Sequence, residues 1–134
     1  MRRKILVVDD DADIVELLRF NLKQAGFAIG TASNGIEALK KVRSMKFDLI
    51  LLDLMLPEMD GFAVCETLRR DGDTKNIPVI MLTALSGELG RISGLASGAT
   101  AYITKPFSPK AVVSKVEGLL GNRDNSTVEG GTRA

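Results

Sequence analysis

The chain has 134 residues, 45% of them hydrophobic, and a formal net charge of +1, which predicts one globular domain and excludes a wholly disordered chain. It contains no histidine, which excludes a histidine kinase, a phosphohistidine carrier, a Ser-His hydrolase and a His-ligated zinc site within this sequence. The net charge is close to zero and the sequence contains no long basic run, so the composition gives no reason to expect nucleic-acid binding.

The cellular compartment follows from the cysteine content and the absence of targeting segments. The single cysteine, Cys65, cannot form a disulfide within the chain, which fits a reducing compartment. The basic N-terminal residues precede an apolar run that is too short for a signal peptide, and no stretch could span a bilayer. We therefore expect a cytoplasmic protein without a membrane anchor.

Strand and helix patterns alternate along the chain. Short apolar runs, typical of strands buried on both faces, predict strands over residues 5–9, 27–32, 47–53, 77–83 and 100–104. Apolar residues at helical spacing, with capping and stop signals, predict helices from Asp11 to Gly26, from Asn34 onward, from Phe62 onward, over 86–98 and from Ser108 to Gly121. The polar residues 122–134 are predicted to be a disordered tail.

These five βα units predict an α/β fold. Right-handed crossovers between parallel strands place helices on both faces of one sheet. The sequence therefore predicts a doubly wound, five-stranded parallel sheet with five helices.

Polar side chains follow four of the predicted strands at the points where the strands end. They are Asp9 and Asp10, then Asp53, Thr83 and Lys105. Because the carboxyl ends of parallel strands converge on one crevice, we expect these residues to meet there. Carboxylates can hold Mg²⁺ or act as nucleophiles, and a lysine can neutralise a phosphoryl group.

Each of these residues also has a simpler explanation. An aspartate after a strand can cap a helix, and we assign that role to Asp11. A threonine suits a strand by propensity alone, and a lysine at a strand end is usually a solvated surface residue. The complete set, rather than any single residue, favours a site for phosphoryl chemistry.

Four motifs carry a resemblance to a known family. In chain order they are Val7-Val8-Asp9-Asp10, Leu52-Asp53-Leu54-Met55-Leu56-Pro57-Glu58-Met59-Asp60-Gly61, Leu82-Thr83-Ala84 and Tyr102-Ile103-Thr104-Lys105-Pro106-Phe107. Together they resemble the CheY-like receiver domain of two-component response regulators. The resemblance runs from about Lys4 to Leu120, so we expect residues 1–121 to form a receiver domain.

The resemblance implies a flavodoxin-like strand order, 2-1-3-4-5, and a role in phosphorelay signal transduction. Asp53 would accept a phosphoryl group from a sensor histidine kinase or a histidine phosphotransfer protein. Asp10, Asp53 and the backbone carbonyl of Met55 would ligate Mg²⁺, and Asp9 would act largely through a metal-bound water. The domain would not be an enzyme with a separate substrate, because it would catalyse only its own phosphorylation and dephosphorylation.

The resemblance also implies how the phosphoryl group is held and sensed. The Lys105-Pro106 peptide bond would be cis, and this lysine would contact the phosphoryl oxygens. Thr83 and the backbone N–H groups of Leu54 and Ala84 would donate hydrogen bonds to the phosphoryl group. Phosphorylation would draw Thr83 inward and Tyr102 towards a buried position, which would switch the surface formed by residues 86–98, the fifth strand and the last helix.

The chain departs from receivers that drive winged-helix transcription factors. Those carry an acidic pair just before the fifth-strand aromatic residue, where this chain has Thr100-Ala101, and arginines in the last helix that this sequence lacks. We therefore expect a chain that is monomeric when unphosphorylated, makes no direct contact with nucleic acid and acts on a downstream protein.

The predicted helix over residues 86–98 is unusual in its glycine content. Gly87, Gly90, Gly94 and Gly98 fall on one side of its helical wheel. An interior glycine lowers helix stability by roughly 1 kcal/mol relative to alanine. We therefore expect this to be the least stable helix of the domain, and phosphorylation to order it.

Three alternatives are less well supported. A phosphohydrolase of the haloacid-dehalogenase type needs an aspartate two residues after the nucleophile, where this chain has Met55. A flavodoxin needs a phosphate loop rich in Ser, Thr and Gly after the first strand, where this chain has aspartates. A degenerate receiver used only as a scaffold would not need the intact set of Asp10, Asp53, Thr83 and Lys105.

Overall fold

The computed structural model describes residues 2–84 and 97–121. Strands and helices alternate from the first strand to the fourth, and a helix follows the fifth strand, as the sequence predicts. Their bounds are β1 (Lys4–Val8), α1 (Ala12–Gln24), β2 (Ala28–Ala32), α2 (Gly35–Ser44), β3 (Leu49–Asp53), α3 (Gly61–Arg70), β4 (Val79–Thr83), β5 (Ala101–Thr104) and α4 (Pro109–Leu120). The tail 122–134 and most of the predicted helix over 86–98, with Gly87, Gly90 and Gly94, lie outside the described residues.

The five strands form one parallel sheet in the order β2-β1-β3-β4-β5, which confirms the predicted flavodoxin-like topology. The strand bounds differ from the predicted ones by one or two residues: β1 begins and ends one residue earlier, β2 and β5 begin one residue later, and β3 begins two residues later. The strand β4 begins at Val79 rather than Ile77, because Pro78 has no N–H to donate to a sheet ladder. The strand β1 ends at Val8, so Asp9 lies one residue beyond it.

The sheet separates two apolar layers, and the strands β1, β3 and β4 are buried on both faces. Successive residues of a strand point to opposite faces. One face packs with α2 and α3 through Leu6, Val8, Ile50, Leu52, Val79 and Met81. The other packs with α1 and α4 through Ile5, Val7, Leu49, Leu51, Ile80 and Leu82. Burial on both faces explains why these strands appear in the sequence as uninterrupted apolar runs. Among the described helices, none combines the length and the apolar character needed to cross a membrane.

A capping side chain starts each described helix. Asp11 accepts hydrogen bonds from two backbone N–H groups of α1, at 3.0 and 3.3 Å, which confirms its predicted capping role. Asn34, Asp60 and Ser108 cap α2, α3 and α4 in the same way, at 2.8, 2.9 and 3.1 Å. Each cap contributes about 1 kcal/mol of stability. These helices therefore begin at well-defined points after the carboxyl ends of the strands.

Gly61, the first residue of α3, lies directly against the end of β3. Its N–H donates to the carbonyl oxygen of Leu54 at 2.9 Å. A Cβ at this position would lie 2.6 Å from the carbonyl oxygen of Asp53 and 2.8 Å from the Cα of Leu54. Only glycine permits this approach, because any side chain would have to displace the backbone that carries Asp53.

We predict that the same substitution has opposite effects at two glycines. Gly61→Ala should lower the free energy of unfolding by about 1–3 kcal/mol, because the added methyl group overpacks against backbone. Gly118→Ala should raise it by about 0.5–1 kcal/mol, because alanine is the better helix former; an added Cβ on Gly118 meets no atom within 4 Å. Urea unfolding of both variants measures the difference, and a neutral Gly61→Ala would contradict the close approach.

Candidate functional site

The register of the sheet brings the predicted site residues together at the carboxyl ends of the strands. The strands β1 and β3 pair in register up to the last residue of β1, so that Asp9 lies beside Asp53. The strands β4 and β5 pair at Thr83 and Thr104. Lys105 follows directly, and its backbone N–H donates to the carbonyl oxygen of Thr83 at 2.7 Å.

Three carboxylates form a cluster at these strand ends. Oxygen atoms of Asp9, Asp10 and Asp53 lie within 4.8 Å of one another. Asp9 is 1% exposed and Asp53 is 3% exposed, whereas Asp10 is solvent-accessible. The N–H of Asp11 donates to Oδ1 of Asp9 at 2.9 Å and holds that carboxylate in place. Clustered carboxylate oxygens are the donor set that hard divalent cations prefer.

Lys105 is the cation of the crevice. Its Nζ lies 3.2 Å from Oδ2 of Asp9 and 3.3 Å from Oδ1 of Asp53, so one ammonium group joins the ends of two strands. The Lys105-Pro106 peptide bond is cis, as the resemblance implies. Lys105 therefore lies in the same crevice as Asp9 and Asp53, and its contact with phosphoryl oxygens stays a prediction.

Burial and charge shift the protonation of the crevice in a consistent direction. Burial, followed by repulsion from Asp9, raises the pKa of Asp53, and the N–H of Met55 and the charge of Lys105 offset this only in part. Burial acts to lower the pKa of Lys105, but the charges of Asp53 and Asp9 outweigh it and raise that pKa. Lys105 thus stays protonated, while the ionised form of Asp53 is disfavoured until more positive charge arrives.

Two backbone N–H groups behave differently from the sequence expectation. The N–H of Leu54, expected to face a phosphoryl group, donates to the carbonyl oxygen of Leu82 at 2.9 Å and is already engaged in the structure. The N–H that reaches Asp53 is that of Met55, at 3.2 Å from Oδ1. The resemblance implies a role only for the carbonyl group of Met55. The identity of a side chain does not show which way the backbone N–H of a loop residue points.

The remaining predicted residues lie at or near the same carboxyl ends of the strands. Thr83 is buried at the end of β4, next to the strand that carries Asp53, and Ala84 is exposed just beyond it. Tyr102 is half-buried on β5 and packs against the apolar layer between the sheet, α2 and α3. It is therefore neither fully exposed nor fully buried in this structure.

The loop from β3 to α3 contains a turn, which the Pro57–Gly61 sequence predicts, but the strain in this turn is not apparent from the sequence. Glu58 has a φ of 70°, and the N–H of Met59 donates to the carbonyl oxygen of Pro57 at 2.7 Å. A three-residue turn with a positive φ at its centre is rare and strained for a residue other than glycine. Such strain persists where the surrounding structure fixes the loop, here between Asp53 and the cap of α3.

Comparisons with known proteins identify the family to which this fold and site are similar. A family model described as the response regulator receiver domain matches residues 5–117. Over 120 residues the chain is 49% identical to the alkaline phosphatase synthesis transcriptional regulatory protein PhoP of Bacillus subtilis, covering 90% of this chain and 49% of that protein. It is 45% identical over 129 residues to the DNA-binding response regulator MtrA of Mycobacterium leprae, covering 96% of this chain and 56% of that protein. The chain thus spans about half the length of these curated relatives.

Solved structures give the same result over their full lengths. The chemotaxis response regulator CheY4 of Vibrio cholerae is 33% identical with a TM-score of 0.86, covering 90% of this chain and 100% of that one. A receiver domain titled BeF3 Activated DrrB is 32% identical with a TM-score of 0.80, covering 90% of this chain and 98% of that one.

The raised pKa of Asp53 leads to a prediction about stability. Since this pKa is higher in the folded than in the unfolded chain, folding is favoured in acid and loses that contribution as the pH rises through the raised value. Without divalent metal, Asp53→Asn should therefore increase the free energy of unfolding at neutral pH, and the gain should shrink in mild acid. Denaturant unfolding at both pH values measures it.

The control for this prediction is Asp73→Asn, which changes an exposed carboxylate far from the crevice. It should have a small effect that does not vary with pH in the same range. A loss of stability in Asp53→Asn at neutral pH would contradict the assigned electrostatics.

Proposed function

The chain belongs to the response regulator receiver domain family, and from this membership and the crevice geometry we propose that it is a phosphorylation-activated switch. Asp53 accepts one phosphoryl group, with Mg²⁺, from a sensor histidine kinase or a histidine phosphotransfer protein. The observation that carries the proposal is the cluster of Asp9, Asp10 and Asp53 with Lys105 bridging two of its members. The family match favours this function over the phosphohydrolase and flavodoxin alternatives.

The donor set of the crevice fits Mg²⁺. Asp10 and Asp53 would hold it together with the carbonyl oxygen of Met55, and Asp9 would contribute through water. When bound, Mg²⁺ supplies the positive charge that lets the carboxylates and an incoming phosphoryl group share one crevice. The cluster geometry and the raised pKa of Asp53 support this assignment, since a cation favours the ionised carboxylate.

Asp53 performs the group transfer. One of its carboxylate oxygens forms a bond to phosphorus while the bond from phosphorus to the donor's imidazole nitrogen breaks, which gives an acyl phosphate and a neutral imidazole. Lys105, already 3.3 Å from Oδ1, neutralises the phosphoryl oxygens. The hydroxyl of Thr83 and the N–H groups of Ala84 and Met55 donate to them. Since the N–H of Leu54 is engaged by the sheet, its contact requires that bond to open.

The phosphoryl group acts on the rest of the domain through β4 and β5. Movement of Thr83 towards the phosphoryl group leaves space beneath the half-buried Tyr102 on the neighbouring strand. We propose that Tyr102 then moves inward and that the surface of residues 86–98, β5 and α4 changes with it. A downstream protein reads this change.

The wider context is proposed on the same basis. Residues 1–121 form the receiver domain, and 122–134 a tail. The DNA-binding activity in the name of MtrA belongs to a longer protein, of which this chain covers 56%, and we propose that these 134 residues make no direct contact with DNA. We also propose a cytoplasmic location and a monomeric unphosphorylated state.

Phosphorylation is tested by intact mass. With Mg²⁺ and a small acyl or amido phosphate, the protein should gain one phosphoryl group, because the crevice supplies both the nucleophile and the cation site. Asp53→Asn or a chelator should abolish the gain, and Asp10→Asn should raise the Mg²⁺ concentration needed. The surface variant Asp73→Asn should behave as the unaltered protein. Uptake that survives in Asp53→Asn would contradict the assigned acceptor.

The lifetime of the phosphoryl group depends on the side chain of Met55. This side chain is 71% exposed at the mouth of the crevice, and a thioether orients attacking water poorly. We predict that Met55→Asn, which offers amide hydrogen bonds to water, shortens the lifetime, while the apolar control Met55→Leu retains it. Loss of phosphoryl mass over time after removal of the donor measures both. A longer lifetime in Met55→Asn would overturn the prediction.

A further inference from the structure

The helix α3 is fixed at both of its ends to different parts of the domain. At its start, the close contact of Gly61 with Leu54 joins it to the backbone just after Asp53. Because α3 runs antiparallel to the strands, its last turn lies near their amino ends. Arg69, in that last turn, makes the contacts that fix the second end.

The guanidinium group of Arg69 binds three backbone carbonyl groups. Its Nε donates to Gly98 at 2.8 Å, and its Nη1 donates to Ile77 at 2.8 Å and to Lys75 at 3.1 Å. These acceptors belong to two separate loops, one leading into β4 and one leading into β5. A lysine could not reproduce this set, because its donors do not form a planar fork. We call Arg69 with these three carbonyl groups the Arg69 clamp.

The loop before β5 is shaped to fit this clamp. Gly98 has a φ of +100°, and a Cβ there would lie 2.8 Å from Cγ of Arg69. One helical turn earlier on the same face of α3, the buried thiol of Cys65 has a hydrogen bond with Ser97. Two residues one turn apart on α3 therefore hold two consecutive residues of the loop.

The strand β5 begins three residues after Gly98. Among the described strands it lies at the edge of the sheet and pairs with β4 alone. Just before it, the N–H of Thr100 donates to the carbonyl oxygen of Val79 at 2.8 Å, and the Oγ1 of Thr100 accepts from the N–H of Val79 at 3.0 Å. The chain leading to Tyr102 is thus held at two points, by Arg69 at Gly98 and by Val79 at Thr100.

We propose that Arg69 is a positioning residue that couples the state of Asp53 to the position of Tyr102. It joins the start of β5 to a helix whose other end is built onto the Asp53 loop, and rigid elements of this kind can carry energetic coupling between sites. The inference rests on the proposed phosphorylation of Asp53. It adds a connection through α3 to the one through Thr83.

The sequence provides a direct reporter for this coupling. Tyr102 is the only tyrosine, and the chain has no tryptophan, so tyrosine emission reports the surroundings of Tyr102 alone. Beryllofluoride with Mg²⁺, a phosphoryl mimic, is added to the full chain until fluorine NMR shows that the site is saturated. The change in tyrosine emission at saturation is then compared between variants, so that differences in affinity do not enter.

The key variants are Arg69→Met and its matched control Arg70→Met, which alters the exposed neighbouring arginine. We expect Arg70→Met to keep the full change in emission and Arg69→Met to lose most of it while still binding beryllofluoride. Arg69→Lys, which keeps the charge and most of the stem, should retain the fold and show a smaller loss. If Arg69→Met lowers stability but keeps the full emission change, the clamp is merely structural and the proposal is wrong.

A second pair of variants tests the contact from the other side. Gly98→Ala places a Cβ against Arg69 and should reduce the emission change to a similar extent. The double variant with Arg69→Met should be no worse than Gly98→Ala alone, because Gly98→Ala strains the backbone at its φ of +100° and also disrupts the contact that Arg69→Met removes. Additive losses would contradict the clamp. If the unaltered chain does not bind beryllofluoride at all, the proposed function fails; if it binds to saturation without an emission change, the proposed movement of Tyr102 fails. Both outcomes are distinct from a full response in Arg69→Met.

Discussion

The structure depends on an imbalance of charge at the ends of two adjacent strands. Asp9 and Asp53 are almost completely buried side by side, and the ammonium group of Lys105 is their shared partner. Burial of unbalanced carboxylates costs free energy, and the raised pKa of Asp53 records that cost. A central strand of an ordinary core would end in a residue without this cost. The apolar layers on both sides of the sheet keep these carboxylates buried, and added positive charge in the crevice would lower the cost of ionising them.

Much of the fold and part of the site could be predicted from the sequence, for physical reasons. Strands buried on both faces leave uninterrupted apolar runs, and parallel pairing makes their carboxyl ends converge, so the meeting of Asp9, Asp53 and Lys105 follows from pattern. Capping by Asp11 was predictable because it is a local interaction. The start of β4 differs from the predicted one by two residues because the apolar run continues through Pro78, which cannot donate to the sheet.

Other features could not be predicted because they involve backbone groups. Which N–H faces Asp53, that of Leu54 or that of Met55, depends on the path of the loop and not on its side chains. The positive φ of Glu58 contradicts the preference of its residue type and is imposed by its surroundings. The contacts of Arg69 are all to carbonyl oxygens, which every residue has, so no spacing in the sequence announces them.

The contact between Lys105 and Asp9 joins residues 96 positions apart. During synthesis the two carboxylates are made long before the lysine that balances them, and β5 must emerge and pair before that lysine can reach the crevice. A growing chain therefore passes through a stage in which Asp9 and Asp53 have been made but Lys105 has not. The balanced charge arrangement of Asp9, Asp53 and Lys105 therefore belongs only to the finished sheet.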